Sequence, residues 1–304
     1  MSRTQRDMPS RCEPMNSSPS RVRSMLYRAT CKLPLRLRRQ VLYARYQRRL
    51  LNLRNPERFT EKVNWRIVCD RRELLAWTCD KQRMKEQAER IDGLYVPQTY
   101  WFGTDVRELD EVYLPDRWVL KPNHRSGAVY FGEGQVSDTA DLVSITSGWM
   151  REAEAVELGE WAYSRARPGM IAEERIGGIE APDDYKFFVF NGEPLVVLVD
   201  TGRFAQHRRG FYRIPRWEPI DVVNQYPQAP PMSRPAHLNE MMRIASALGS
   251  PFDFMRVDLY DTERHGITFG ETSPYPGGGL GPFQPPAYDI ELGRAWSLPG
   301  LPRS

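Results

Sequence analysis

The chain is expected to fold as an α+β protein. Apolar residues recur at helical spacing in the first third of its 304 residues. Short apolar strands, punctuated by turn residues, gather mostly in the second half, with helices between them. An apolar fraction of 40%, with eight Trp and fourteen Tyr, describes a folded chain with length enough for a large core. Twenty-five Pro and 22 Gly call for many turns and long loops. No run of 18 uncharged apolar residues occurs, which argues against a spanning helix. The first 25 residues lack the apolar core of a secretory signal. Cys12, Cys31, Cys69 and Cys79 show no metal-ligand spacing, so reduced thiols and a cytoplasmic location are expected.

Residues 1–23 are rich in Ser, Pro and Arg without periodicity and read as disordered. Residues 1–54 carry 14 Lys and Arg against Asp7 and Glu13, which leaves 29 basic and 37 acidic residues for the rest. A basic arm thus precedes a mildly acidic body. Such an arm suits peripheral contact with an anionic membrane, while a solvated surface helix is the plainer account. Leu35, Val41, Leu42, Tyr46, Leu50 and Leu53 predict an amphipathic helix that Asn55-Pro56 stops. Further helices are expected from Thr60 and from Asp80, an N-cap, to Ile91.

Strands are expected at Trp118–Pro122 and Met170–Ile176. Tyr185–Phe190 and Pro194–Asp200 flank Asn191-Gly192, a favoured type I′ hairpin turn. A helix over 236–248 leads into a last pair of strands, Phe254–Tyr260 and Ile267–Ser273. Alternation puts Arg256 on one face with Asp258, and Glu271 on one face with Ser273. If the strands pair, an arginine, two carboxylates and a hydroxyl converge, an oxygen-rich set suited to magnesium. Taken alone, the pair also describes a hairpin with a solvated acidic face.

Three further features suit a nucleotide. Lys121 ends an apolar strand and precedes Asn123-His-Arg-Ser-Gly127, a loop able to close over phosphates. Lys81 sits at a helix start, an electrostatically unfavourable place. Glu173-Glu174 follows an apolar strand, where a carboxylate could accept from ribose hydroxyls.

In this order the pieces resemble an ATP-grasp enzyme, and more closely the TupA-like ATP-grasp family, named for teichuronopeptide biosynthesis. The phrases that carry the resemblance are Asn55-Pro-Glu-Arg-Phe-Thr-Glu-Lys62, Asp80-Lys81, Val119-Leu-Lys-Pro-Asn-His124, Ile171-Ala-Glu-Glu174, Asp184-Tyr-Lys-Phe-Phe188 and Phe269-Gly-Glu271 with Tyr275-Pro-Gly277. They run colinearly from about residue 35 to the C-terminus. The resemblance implies two α+β subdomains clasping ATP behind a short helical N-terminal region. The implied divisions are a basic arm at 1–33, a helical region at 34–115 and an ATP-grasp domain at 116–304. Within the last, the lid would span about 116–172 and the metal-binding part about 173–304.

Implied roles follow residue by residue. Lys81 and Lys121 would hold phosphates, with His124, Ser126 and Gly127 in the lid loop, and Glu173 or Glu174 would hold ribose. Asp258, Glu271 and Ser273 would hold Mg2+. Arg256 and Lys186 would act on the transferred group. Arg203, His207, Arg208, Gly277 and Gly278 are candidate substrate contacts. The family tends to have glycine where Arg125 stands and many relatives have asparagine where Ser273 stands, which weakens both assignments. The implied reaction is ADP-forming carboxylate–amine ligation on a glycan or small molecule; alternatives are an ATP-grasp phosphotransferase or a glycosyltransferase. Nucleic acid is not an expected partner.

Overall fold

A computed structural model describes residues 30–150, 154–178, 181–203 and 205–300. Most of the expected arm, residues 1–29, therefore lies outside the described residues. Two antiparallel sheets organise the rest. The first takes β1 (Thr99–Gly103), β2 (Arg117–Pro122), β3 (Tyr130–Glu133) and β4 (Met170–Glu174) in the order β1-β4-β2-β3. The second takes β5 (Asp184–Phe190), β6 (Glu193–Thr201), β7 (Arg208–Arg213), β8 (Glu218–Ile220), β10 (Phe254–Thr262) and β11 (Gly266–Ser273) in the order β11-β10-β5-β6-β7-β8. A small ladder pairs β9 (Val223–Asn224) with β12 (Phe283–Gln284).

The helices are α1 (Leu35–Gln47), α2 (Phe59–Cys69), α3 (Lys81–Ala88), α4 (Ala140–Ile145), α5 (Leu238–Gly249) and α6 (Ala287–Arg294). Helix α1 is shorter than expected: Arg48 takes a left-handed conformation (φ 57) and its amide closes on Ala44. Glu61 helps to start α2 by accepting the Glu57 and Arg58 amides at 3.0 and 3.1 Å. Asp80 caps α3 as expected, accepting the Arg83 amide at 3.1 Å; the helix closes at Ala88 rather than Ile91. At the β5–β6 turn both Asn191 (φ 50) and Gly192 (φ 83) have the positive φ that a type I′ turn demands. Strand β1 falls inside the 34–115 span that the resemblance implies to be helical, but past Ile91, where the last expected helix of that span ends. Its register against β4 is broken near Thr99, and that interruption hides the alternation from the sequence.

Alternation along the second sheet separates two buried faces. Met255, Val257 and Val189 lie on the face toward α5, which presents Leu238, Met241, Ile244, Ala245 and Leu248. The other face starts under α2 and α6 with Phe188, Phe190 and Phe254, and continues into charged residues. Phe59 of α2 is 2% exposed and packs its ring on Phe188, Phe190, Phe254, Phe283 and Trp296. The first sheet has a core of its own around Trp101, Trp118, Leu120, Met170 and Ala172.

Phe59→Ala leaves a cavity among five rings. It is expected to lower stability by about 3–5 kcal/mol, read as a lower urea midpoint at unchanged slope. A loss below about 1 kcal/mol, the size of an ordinary surface change, would show that the helical layer does not depend on this ring.

Candidate active site

The charged end of the second sheet is built by register. On β10, Asp258 lies opposite Lys186 of β5 on one side and Glu271 of β11 on the other. Arg256, two residues earlier on the same face, lies opposite Ser273. Strict alternation would put Glu271 on the face of Phe269, in the core. A β-bulge at Gly270 changes the phase: Asp258 pairs with Glu271, but Leu259 pairs with Phe269. The bulge needs glycine, because a Cβ there would stand 2.9 Å from the Asp258 carbonyl oxygen.

Six charged groups meet at this end. Arg256 donates to Asp258 Oδ1 and Oδ2, both at 2.7 Å, and to Glu271 Oε1 at 2.8 Å. Lys186 Nζ donates to Asp258 Oδ2 and Asp184 Oδ2, both at 2.6 Å. Arg203 donates to Asp184 Oδ2 at 2.7 Å. Burial alone would raise the Asp258 pKa, but Arg256 and Lys186 outweigh it and hold the carboxyl below its usual range. Burial likewise opposes the Lys186 charge, yet Asp184 and Asp258 raise its pKa. Asp184 goes the other way, because burial prevails and raises its pKa. Its Oδ1 is buried without a hydrogen-bond partner.

The lysines gather across from this cluster. Lys81 Nζ donates to the Pro122 and Arg125 carbonyls at 2.9 and 2.6 Å, which docks the loop after β2 on the start of α3. Burial first, then the charge of Lys121, push the Lys81 pKa down to about 8, while Glu271 and Glu173 pull the other way. Groups from both sheets thus act on one amine. Lys121 is ion-paired with Glu173 Oε1. The second oxygen of Glu173 accepts from Lys85 Nζ at 3.0 Å, and Lys85 also donates to Thr99 Oγ1 at 2.7 Å. Glu174 takes the Tyr95 hydroxyl at 2.5 Å and lies 3.1 Å from His265 Nε2, whose ring stacks on Tyr95.

In the loop after β2, His124 Nδ1 accepts the Gly169 amide at 3.4 Å, Ser126 hydrogen-bonds Tyr163 and Gly127 has φ +82. Arg125 reaches the Gly148 carbonyl at 3.2 Å. After β11, Gly277, Gly278 and Gly279 all have positive φ (55, 57 and 63). Arg39, Asn64 and Gln47 donate to the carbonyls of Gly278, Gly279 and Leu280. A Cβ on Gly279 would lie 2.5 Å from Asn64 Nδ2.

The expected cationic substrate cluster divides. Arg203 joins the six-charge group through Asp184, and His207 Nε2 lies 3.1 Å from Asp200 Oδ1. Arg208 is exposed and donates to the Gln228 carbonyl at 3.3 Å. Strand alternation separates it from its neighbour Arg209, which turns inward to Asp200. Ser273 is half-buried opposite Arg256. Sequence reasoning missed Lys85 and Asp184 as members of these groups, although each carries a periodic signal. Lys85 follows Lys81 by one helical turn, and Asp184 precedes Lys186 by one strand repeat. Tyr95 and His265 carry none, since a bridge from Tyr95 to Thr268 unites them only in the fold.

Among the described residues no group of three or more His, Cys, Asp or Glu forms a metal site. Asp258 and Glu271 nevertheless fit a hard divalent cation: both offer carboxylate oxygens on adjacent strands, and phosphate and water oxygens would complete the shell.

Glu173 gives an acid signature. Burial would raise its pKa, but Lys121 and Lys85 outweigh that and lower it. Its stabilisation is therefore present above the unfolded value of about 4.3 and is lost as pH falls through the lower folded value. Glu173→Gln is expected to cost about 3–5 kcal/mol at pH 7 by stranding the buried Lys85 and the half-buried Lys121 and to flatten the acid limb of the stability–pH curve. An unchanged acid limb would remove Glu173 as its source.

No curated protein matches the chain in sequence. Among solved structures, the D-alanine–D-alanine ligase of Bacillus anthracis in complex with ATP is 17% identical, with a TM-score of 0.38, over 65% of this chain and 54% of that one. The D-alanine–D-alanine ligase of Helicobacter pylori is 16% identical, TM-score 0.42, over 74% and 60%. The L-amino acid ligase of Bacillus licheniformis is 16% identical, TM-score 0.40, over 66% and 44%. The chain therefore spans less than two thirds of each. A family described as TupA-like ATPgrasp matches residues 61–297, most of the sequence. The chain belongs to the TupA-like ATP-grasp family and has the ATP-grasp fold.

Proposed function

We propose that this protein is an ATP- and magnesium-dependent carboxylate–amine ligase, forming an amide through an acyl phosphate and releasing ADP. Its product would be an amino acid or peptide joined to a cell-surface polysaccharide or related glycan. The observation that carries the reading is the cross-strand set Lys186, Asp258 and Glu271 with Arg256 beside it, near Lys81 at the start of α3, which in turn lies near Lys121 of the first sheet.

In this reading Lys81 and Lys121 contact the phosphates as point charges, and the loop with His124, Ser126 and Gly127 closes over them. Glu173 orients Lys121 rather than binding ribose, because both of its oxygens already hold lysines. Glu174 borders the nucleotide with Tyr95 and His265. Asp258 and Glu271 hold the magnesium, with Ser273 beside them; the ion neutralises phosphate charge. Arg256 and Lys186, released from the carboxylates, stabilise first the moving phosphoryl group and then the oxyanion of amide formation. Gly277 and Gly278, held in a left-handed run, belong to the same oxyanion surface. Arg203 and His207 border the acceptor.

Lys81→Ala and Lys121→Ala each remove a charged contact of about 1.5–3 kcal/mol. ATP affinity measured by calorimetry should fall by roughly ten- to a hundredfold. Unchanged affinity in both would sink the nucleotide assignment.

Reaction type is tested with hydroxylamine. Hydroxylamine nitrogen attacks the carbonyl carbon of an acyl phosphate and expels inorganic phosphate, leaving a hydroxamate, whereas a phosphate ester does not react. ATP-dependent hydroxamate with equimolar ADP is expected from a panel of uronic acids and acidic amino acids. Stoichiometric phosphate ester without hydroxamate would move the assignment to a phosphotransferase.

A further inference from the structure

Helix α1 precedes the span matched by the family, and it has two unlike faces. Arg39, Leu42, Tyr43 and Gln47 are buried. Through Arg39 and Gln47 that inner face holds the carbonyls of Gly278 and Leu280. The outer face carries Leu37, Val41 and Arg45 one helical repeat apart, all exposed. Leu37 is 50% exposed, Val41 38%, and Leu50, just past the helix, 76%.

Single exposed apolar residues need no explanation, but these are grouped. Of the ten exposed large hydrophobic residues among the described residues, four (Leu37, Val41, Tyr46 and Leu50) fall between positions 37 and 50. Their charged surroundings have one sign: no acidic residue occurs between Glu13 and Glu57. Arg36, Arg45 and Arg48 are exposed around the apolar residues. Among the described residues no helix is long and apolar enough to cross a membrane.

We propose that the outer face of α1 docks on an anionic lipid bilayer, with Leu37, Val41 and Leu50 entering the headgroup boundary and Arg36, Arg45 and Arg48 meeting lipid phosphates. An apolar stripe with a basic surround is the chemistry of an interfacial helix. A second copy of the chain is disfavoured, because a two-fold contact through this face would set arginines against arginines. Nucleic acid would satisfy the arginines but leave Leu37 and Val41 in water. The inner face gives the docking a consequence: the helix that meets the bilayer also braces the glycine run beside the candidate site.

The test is flotation of the full-length protein with vesicles of phosphatidylcholine alone or mixed with phosphatidylglycerol. Binding is expected only with the anionic lipid, and it should weaken as salt rises. Leu37→Ser with Val41→Ser should reduce partitioning by about tenfold, because two apolar insertions are lost. Arg45→Glu with Arg48→Glu should reduce it further and flatten the salt dependence. Thermal midpoints should stay unchanged, since all four side chains are exposed. Wild-type binding by the Leu37/Val41 variant, with residues 1–33 intact, would overturn the proposal. So would tight binding to RNA or DNA without vesicle binding, or a dimer that the same substitutions dissolve.

Discussion

The structure depends on one electrostatic constraint: charges on an otherwise apolar sheet face must meet opposite charges before they can be buried. Asp258 is 1% exposed and lies on the same sheet face as the aromatic core residues Phe188 and Phe254. An unpaired carboxylate there would lose its hydration with nothing in return. Cross-strand register supplies the partners, Lys186 from β5 and Arg256 from two positions earlier on β10. The bulge at Gly270 brings Glu271 to the same face. Under strict alternation Glu271 and Phe269 would share one face, so either the carboxylate would enter the core or the ring would leave it. The local backbone irregularity is therefore what lets one hairpin serve core and site together.

The first sheet solves the same problem with the signs reversed. Lys121 and Lys85 approach each other from β2 and α3, and Glu173 lies between them with one oxygen for each. Thr99, opposite Glu173 in the β1–β4 pairing, takes another Lys85 donor. Lys81 has no carboxylate of its own; backbone carbonyls of the Pro122–Arg125 loop hold it. Burial first, and then the charge of Lys121, lower its pKa to about 8. Of the two lysines expected to meet phosphate, one is neutralised by protein and the other is solvated by dipoles.

Much of this was legible because both periods survive in the sequence. The strand period placed Arg256 with Asp258, and Asn191-Gly192 announced its turn through the φ it needs. Asp80 announced the start of α3. What stayed hidden depends on contacts between distant segments. Strand β3 is four residues long and β1 loses register within five, too short for alternation to stand out. Glu173 and Glu174 look alike in sequence, yet one neutralises lysines and the other holds Tyr95 and His265. Arg39 reads as one arginine among many on a basic helix, and only the fold reveals it buried against Gly278.

The charge balance of the second-sheet cluster bears on how a nucleotide site of this kind would fill. Lys186, Arg203 and Arg256 face Asp184, Asp258 and Glu271, so the group is neutral as it stands. A divalent cation entering alone would have to compete with Arg256 for both metal-facing carboxylates, and would leave the buried group with excess positive charge. Phosphate entering alone would approach Asp258 and Glu271 and be repelled by them. On the proposed reading, a cation and a phosphate entering together would exchange partners with these side chains: the carboxylates would hold the cation, and the guanidinium and ammonium would meet the phosphate. Each ion pair broken is replaced by another of similar strength, so the low local dielectric that penalises the separate steps favours the joint one. In that reading, cross-strand register places on one sheet face both the carboxylates a cation would take and the cationic groups a phosphate would take.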